Sequence, residues 1–283
     1  MKVMILTDLE GPCGVNGRAD TIGNQILNKP TAEQALVNEV NACCDGLVAA
    51  GADEIVVLDG HGGSNSIDIF KLHPAASLMQ TGGQNPACYL DSTFDAFVQI
   101  GAHAMQSSLA YLCHTFNSHG VARMLLNGKE IGEIGTCSRI AGYFNVPTIL
   151  VSADEAGCRE AEMEMGGKVL TVATKQAWGR YTAVNYPPEQ VYQELRRKSE
   201  EALRNRAQMG MPPKADHYTL LLRMMCPNQV FDFEKHGAKR IDEATVEFES
   251  DDFMDLYAQR CGWAKGVHNR KYGITPDWVF RGV

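Results

Sequence analysis

The sequence predicts an α/β fold with three layers, α/β/α, built around a mostly parallel central sheet. Apolar runs at residues 2–7 and 54–58 have the length and composition of buried strands. Residues 31–50 between them follow the helical period, so the three segments form a βαβ unit. Further apolar runs of strand length, separated by helical patterns, continue this alternation along the chain.

The first elements can be placed individually. Residues 2–7 have an unbroken apolar core, as expected of a central parallel strand. Residues 11–30 are rich in Gly, Asn and Pro and are interpreted as a loop or lid. The helix at residues 31–50 is predicted to begin with Thr31 as N-cap, and Gln34 would complete a capping box.

The later elements follow from the same patterns. Strands are predicted at residues 77–80, 96–100, 122–126, 148–151, 169–172, 218–223 and 244–249. Helices are predicted at residues 131–144, 155–165, 187–206 and 251–261. Because residues 209–215 contain Pro and Gly and are interpreted as a linker, we predict a metal-binding α/β catalytic domain at 1–206. A smaller α+β domain or lobe would follow at 207–283.

Composition narrows the class of protein. The chain has 283 residues, is 45% hydrophobic and 21% charged, and carries a net charge of −8. This acidic balance, without a long basic block, argues against a nucleic-acid partner. No apolar run is long enough to span a bilayer and no secretory signal is visible, so no membrane association is expected. Nine irregularly spaced cysteines, without a C-x-x-C pair, indicate reduced thiols in a cytoplasmic protein.

Polar residues follow several predicted strands. Asp8 and Glu10 follow the first strand, and their i, i+2 spacing points both side chains the same way from an extended backbone. His61 follows the second strand in the segment DGHGG, and His103 follows the strand at 96–100. Glu133 lies near the start of a predicted helix. Since open α/β sheets bind ligands outside the carboxyl ends of their strands, these residues are candidates for one site.

Each candidate also has an ordinary structural interpretation. The two acids could be exposed in a turn, and His61 could be a loop histidine. His103 could be a satisfied core histidine, and an acid such as Glu133 is favoured in the first turn of any helix. Together, however, three carboxylates balance two divalent cations and one bridging hydroxide. Mixed nitrogen and oxygen ligands suit zinc first, with manganese or cobalt as alternatives, and two close metal ions can activate a water.

Three more residues remain open on this reasoning. Asp59 either caps a turn or orients a histidine as its hydrogen-bond partner. His114 and His119 lie in the segment CHTFNSH. A histidine near the metals could act as acid, base or nucleophile. The residues alone favour a loop with two solvent-facing histidines.

The motifs together resemble a known family, the DppA-type D-aminopeptidases, which are self-compartmentalising zinc metallopeptidases. Five motifs carry the resemblance in order and spacing: TDLEG from Thr7, DGH from Asp59, GAHA from Gly101, CHT from Cys113 and GEIG from Gly132. The similarity covers about residues 1–180, including Lys175 and Arg180 in a K-Q-x-x-x-R pattern. After about residue 205 it is loose.

The resemblance implies specific roles and an assembly. It implies two zinc ions per subunit, with Asp8 bridging them, Glu10 and His61 completing one site, and His103 and Glu133 completing the other. His114 matches the position of the catalytic nucleophile or general acid/base. The implied reaction is hydrolysis of short peptides with N-terminal D-amino acids, such as D-Ala-D-Ala, by a metal-activated water and the catalytic histidine. The implied assembly is a homo-oligomer, a decamer of stacked pentameric rings that encloses a chamber.

The chain departs from the family pattern in the residues around these motifs. Gly60 replaces a serine before the histidine of the second motif, and Cys113-His114-Thr115 replaces Ser-His-Ser. The loop after His114 is about one residue longer and adds His119. These changes spare the implied ligands and bear on substrate preference. Another metal-dependent amidase, or a non-catalytic ring-forming metal-binding protein, would be the alternative, although retention of His114 favours an enzyme.

Overall fold

The computed structural model describes residues 1–20, 23–81 and 89–262. Its strands are β1 (Lys2–Thr7), β2 (Gly17–Asp20), β3 (Gly23–Ile26), β4 (Glu54–Asp59), β5 (Ala76–Met79), β6 (Ala96–Ile100), β7 (Val121–Leu126), β8 (Lys129–Glu130), β9 (Thr148–Asp154), β10 (Leu170–Gly179), β11 (Thr182–Asn185), β12 (Tyr218–Met224), β13 (Lys239–Asp242) and β14 (Thr245–Ser250). Its α-helices are α1 (Lys29–Ala49), α2 (Glu133–Tyr143), α3 (Glu155–Glu164), α4 (Pro188–Arg204), α5 (Val230–Lys235) and α6 (Phe253–Cys261).

The main sheet has seven strands in the order β11-β10-β9-β6-β1-β4-β5. All neighbours are parallel except β11, which runs antiparallel to β10 at the edge. Strand β1 lies between β4 and β6, and its last residue, Thr7, is paired with Asp59 on one side and Ile100 on the other. The carboxyl ends of these three strands are therefore level, as the predicted site requires.

Helices cover both faces of this sheet, and the alternation within β1 shows how. Val3 and Ile5 pack into one core with α1 and α4, whereas Met4 and Leu6 pack into another core with α2. Successive side chains of a strand point to opposite faces, so an entirely apolar strand is expected when both faces are covered. The predicted three-layer α/β/α fold with a mostly parallel sheet is confirmed.

A second, antiparallel sheet has five strands in the order β13-β14-β12-β7-β8. It combines β7 and β8 from the first part of the chain with β12, β13 and β14 from the last part. Helix α6 packs against this sheet and contacts α2. The predicted additional α+β region is therefore present, and the sheet takes strands from both sides of the proposed boundary at residues 206 and 207. Residues 263–283 of the predicted second domain lie outside the described residues.

Two local predictions near the N-terminus were wrong. Helix α1 begins at Lys29, not Thr31; its N-cap is Asn28 without a side-chain cap, so no capping box forms at Thr31. Pro30 lies in the first turn, where its fixed φ and missing amide hydrogen suit a helix start. The segment 11–30, interpreted as a loop, contains the antiparallel hairpin of β2 and β3.

The cysteine and membrane predictions can be compared with the described part of the chain. Eight cysteines there are free, in keeping with reduced thiols, and the ninth, Cys88, lies outside the described residues. Among the described residues, no helix has the length and hydropathy needed to cross a bilayer.

A close backbone contact joins the segments that follow β1 and β6. The amide of Asp8 donates to the carbonyl of Ile100 at 2.9 Å, and the amide of Gly11 donates to the carbonyl of Gly101 at 2.8 Å. A Cβ atom on Gly11 would lie 2.2 Å from the carbonyl oxygen of Ala102. Only glycine allows this approach, which brings the residues after both strands together.

The Gly11→Ala variant should therefore be destabilised by about 1–3 kcal/mol, because the added methyl group meets backbone atoms that cannot rotate away. Urea unfolding followed by circular dichroism measures this difference. Gly179→Ala is the matched control, since a Cβ there would meet no atom within 4 Å. Equal unfolding midpoints for the two variants would contradict the proposed contact.

Candidate metal centre

Five polar side chains meet at the carboxyl edge of the main sheet. Asp8 and Glu10 follow β1, His61 follows β4, His103 follows β6, and Glu133 is the first residue of α2. These are the five residues that the sequence singled out. Asp8, His61 and Glu133 are partly exposed, whereas Glu10 and His103 are buried.

Asp8 lies between the two histidines and directs one carboxylate oxygen to each. Its Oδ1 is 3.0 Å from His61 Nδ1, which also lies 3.1 Å from Glu10 Oε2. Its Oδ2 is 3.2 Å from His103 Nε2, which also lies 3.2 Å from Glu133 Oε1. The centre therefore consists of two sets of nitrogen and oxygen atoms that share one carboxylate.

The hydrogen bonding of His103 tests whether these atoms fit a metal ion. His103 Nδ1 lies 3.1 Å from the carbonyl oxygen of Ala104, which can only accept, so Nδ1 carries the proton. Nε2 faces Asp8 and Glu133, where it either carries a second proton or offers a lone pair to a metal ion. Among the described residues, this buried atom has no hydrogen-bond partner. A lone pair facing two carboxylates is stabilised by a cation among them. Two ligand atoms on a tetrahedral zinc ion, each about 2.0 Å from it, lie about 3.3 Å apart, so the observed spacings fit zinc.

The electrostatics of the centre favour positive charge. Burial lowers the pKa of His61, but the charges of Glu10 and Asp8 outweigh burial and raise this pKa to about 11. Burial and carboxylate charge oppose each other in the same way at His103, whose pKa also rises. Burial raises the pKa of Asp8, but its contacts with the two histidines hold that pKa well below its usual range. A field that stabilises protonated imidazoles also attracts a divalent cation.

His114 lies at the edge of this centre. Its ring stacks on His103 with 3.9 Å between centroids, and its Nε2 is 3.8 Å from Glu133 Oε1. Its Nδ1 lies 2.9 Å from the carbonyl oxygen of Leu112, so Nδ1 carries the proton and Nε2 is free to accept one. His114, His103 and Glu133 are close enough together to hold an ion as well. His119, by contrast, is exposed.

The loop that carries His114 adopts an uncommon backbone conformation. Leu112 and Phe116 have φ angles of +48° and +59°, in the left-handed region that large side chains disfavour. Hydrogen bonds hold both positions. Leu112 donates to the carbonyl of Arg180 and accepts from Asn24, each at 2.8 Å, and the amide of Phe116 donates to Glu133 Oε1 at 2.6 Å. The loop is thereby attached to the centre on both sides of His114.

Buried charges support the turn that carries Glu10. Lys175 is fully buried, and its ammonium donates to the carbonyl of Glu10 at 3.0 Å. Glu39 accepts a 2.7 Å hydrogen bond from the amide of Cys13. Burial lowers the pKa of Lys175 to about 8, although the negative charge of Glu39 acts in the opposite direction. Burial raises the pKa of Glu39 to about 7, although the positive charge of Lys175 opposes this shift. Lys175, which the sequence marked only as part of a pattern, therefore positions this turn.

Asp59 has the first of its two predicted roles. Its Oδ2 accepts hydrogen bonds from the amides of Ser66 at 2.6 Å and Ile67 at 3.1 Å. The carboxylate thus caps the turn that follows His61. It fixes the loop, while Asp8 and Glu10 contact the imidazole itself.

Comparisons with known proteins agree with this geometry. Residues 1–260 match the protein family described as D-aminopeptidase. A D-aminopeptidase from Bacillus subtilis (strain 168) is 27% identical over 263 residues, which cover 91% of this chain and 94% of that protein. A solved structure, described as the Zn-dependent D-aminopeptidase DppA from Bacillus subtilis, a self-compartmentalizing protease, is similar with a TM-score of 0.80. Its sequence identity is 25%, and the match covers 92% of this chain and 96% of that chain.

Glu160 is a buried acid near the centre that the sequence patterns did not identify. Glu160 lies on α3, and its Oε2 accepts a 2.8 Å hydrogen bond from the amide of Met105, two residues after His103. Its Oε1 is buried and has no hydrogen-bond partner among the residues that the structure describes. Burial raises the pKa of Glu160 to about 8. No pattern marks this residue, because an acid in an amphipathic helix normally faces solvent.

The Glu160→Gln variant should become more stable than the parent as pH rises. The pKa of Glu160 is higher in the folded protein than its ordinary value of 4.5, so folding takes up a proton and its contribution to stability is lost between about pH 5 and pH 8. Glutamine removes this loss, with an expected gain of about 1 kcal/mol or more across the interval. Urea unfolding at several pH values measures it.

The exposed Glu243→Gln variant is the control for loss of a carboxylate, and its difference from the parent should not vary with pH. A Glu160→Gln difference that also stays constant from pH 5 to pH 8 would show that Glu160 is ionised in the folded protein.

Proposed function

Because the chain belongs to the D-aminopeptidase family, we propose that it is a dinuclear-zinc aminopeptidase acting on short peptides with an N-terminal D-amino acid. The enzyme class that the sequence predicted, an aminopeptidase of this family, is confirmed by the family match. We propose in addition that two metal ions bind, that His114 is catalytic, and that the substrate is a short peptide of this kind. The observation that carries it is the position of Asp8, with one oxygen beside each of two histidines.

The proposed ligand sets follow the two halves of the centre. Asp8 would be shared, Glu10 and His61 would hold one ion, and His103 and Glu133 would hold the other. Three carboxylates offset most of the charge of two divalent ions. Imidazole and carboxylate ligands suit zinc, and the similar structure is described as Zn-dependent.

The residues of the chain divide the chemistry between them. When bound, zinc polarises a carbonyl group and lowers the pKa of a water. The amino end and the carbonyl group of the substrate would both be held at the metal ions. His114 Nε2, which has no proton of its own, accepts one from the attacking nucleophile and delivers it to the leaving amine. The hydrogen bond from His114 Nδ1 to the carbonyl oxygen of Leu112 keeps Nε2 unprotonated and fixes the orientation of the ring.

We also propose that the chain forms a cytoplasmic homo-oligomer, a decamer of stacked pentameric rings. The similar structure is described as a self-compartmentalizing protease. Exposed apolar side chains at the edge of the main sheet support an interface there: Trp178 is 68% and Val184 is 45% exposed. Enclosure of the sites in a chamber would restrict the substrates to short peptides.

A dipeptide screen tests the substrate class. The purified protein should hydrolyse D-Ala-D-Ala, and D-alanyl dipeptides faster than their L-counterparts. Activity should disappear with a chelator and return with zinc, since the metal polarises the scissile carbonyl. Release of the free amino acid is measured for zinc, manganese and cobalt in turn. Hydrolysis of non-peptide amides alone would indicate another amidase, and no hydrolysis by the metal-loaded protein would favour a non-catalytic metal-binding role.

Replacement of His114 should separate catalysis from metal binding. His114→Ala should lower kcat by about 10²- to 10⁴-fold, the usual contribution of a general acid/base, and keep the parent zinc content. Asp8→Ala should lose both activity and zinc, because both ligand sets use this carboxylate. Zinc content is measured by atomic emission on the same samples.

His119→Ala is the matched histidine control, since His119 is exposed five residues further on, and it should keep parent activity and metal. Full activity of His114→Ala would exclude the role given to this residue. Parent zinc content in Asp8→Ala would exclude the shared carboxylate.

A further inference from the structure

Two guanidinium groups flank the loop that carries His114. They belong to Arg180, which follows β10, and to Arg260, near the end of α6. Among the described residues, neither has a carboxylate within 4 Å, whereas most arginines there are paired. A partly buried cation without an anionic partner is a candidate for binding an anionic ligand.

The hydrogen bonds of Arg180 are directed to neutral groups of the protein. Its Nε donates to Asn24 at 3.3 Å, and its Nη2 donates to the side chain of Gln106 at 3.2 Å and to the carbonyl of Ser118 at 3.5 Å. These partners connect β3 with the loops after β6. Arg180 therefore ties neighbouring segments together, and its donors are largely occupied.

Arg260 has few such partners. Its guanidinium lies 3.9 Å from the ring centroid of Phe116 and 5.9 Å from that of Tyr257. Its Nη1 is 3.6 Å from the sulfur of Cys261, a weak acceptor, and its Nε is buried with no hydrogen-bond partner in the part of the chain that the structure describes. A guanidinium that stacks on an aromatic ring keeps its N–H groups directed outwards in its own plane. Arg260 thus holds donors for a ligand.

The position of Arg260 connects it to the metal centre. Phe116, on which it stacks, is two residues after His114, and the amide of Phe116 donates to Glu133. Beside Arg260, apolar side chains that include Ile131, Leu256 and Tyr257 line a small pocket. Apolar surroundings strengthen the interaction of a guanidinium with an anion, because water competes less.

We propose that Arg260 binds the C-terminal carboxylate of the short peptide substrate. The inference rests on the proposed function, in which the metal centre holds the amino end and the scissile carbonyl of the substrate. The guanidinium of Arg260 lies 3.9 Å from the ring centroid of Phe116, and the amide of Phe116 lies 2.6 Å from Glu133 Oε1. An extended peptide of two residues spans about 7 Å, which suits this arrangement. A planar guanidinium binds a carboxylate through two parallel hydrogen bonds. Arg260 therefore selects short peptides with a free C-terminus, and α6 contributes to the substrate site.

The test compares D-Ala-D-Ala with its C-terminal amide, D-Ala-D-Ala-NH₂, on the zinc-loaded enzyme. The parent should prefer the free acid by about 10-fold or more in kcat/KM, as expected for loss of a charge-assisted pair. Arg260→Met should reduce this preference to about 1, mainly through KM for the acid. Arg260→Lys should keep part of it, because the charge remains while the paired geometry is lost.

The ratio of kcat/KM for the two substrates separates a loss of carboxylate binding from a general disturbance of the fold. A variant that merely loosened the loop of His114 would lower both activities in proportion and leave the ratio unchanged. Arg180→Met is the matched control, since it removes the guanidinium on the other side of the loop, and it should keep the preference for the acid.

Four results would overturn the proposal. A parent enzyme that hydrolyses both substrates equally would refute the role of Arg260 while leaving the aminopeptidase function intact. An unchanged preference for the free acid in Arg260→Met would also refute the role of Arg260. If the preference disappeared only in Arg180→Met, the carboxylate would be bound by Arg180. A zinc-loaded parent that hydrolyses neither substrate would refute the proposed function together with the inference.

Discussion

Mutual repulsion of carboxylates at one sheet edge is the constraint on which the centre depends. Asp8, Glu10 and Glu133 converge there, and like charges so close raise the free energy of the folded state unless a cation separates them. The parallel sheet imposes this convergence, because the register levels the ends of β1, β4 and β6. The two histidines offset this repulsion, because each places one ring nitrogen 3.0–3.2 Å from two carboxylate oxygens. A centre built this way is adapted to positive charge before any metal binds.

Buried polar contacts restrain three of the segments that carry residues of the centre. Lys175 holds the carbonyl of Glu10, Glu160 holds the amide of Met105, and Asp59 caps the turn after His61. Burying such groups costs free energy that a fully apolar core would not. The cost is concentrated behind the metal centre, where ligand positions must be fixed to within a few tenths of an ångström. Rigidity of the ligands, more than overall stability, is what these residues contribute.

Sequence patterns could predict the parts of this site that depend on local geometry. The i, i+2 spacing placed Asp8 and Glu10 on one side of the chain, and the strand ends placed His61 and His103 at the same edge. The parts that depend on distant contacts could not be predicted. The pattern around Glu160 predicts a surface acid. The segment of β2 and β3 has the composition of a loop, and its hairpin is held by distant contacts with Tyr111 and Leu112. The capping box at Thr31 failed because Pro30 is itself suited to the first helical turn.

The second sheet explains how the last part of the chain can take part in catalysis. Strands β7 and β8 lie between the loop of His114 and Glu133 in sequence, and they pair into the sheet with β12, β13 and β14. Helix α6 rests on this sheet and therefore has a fixed position relative to the metal centre. The first part of the chain thus supplies the five residues of the centre, while α6 supplies Arg260, for which we propose a role in substrate binding. On this proposal, variation in α6 would change which substrates are bound and leave the proposed metal ligands in place.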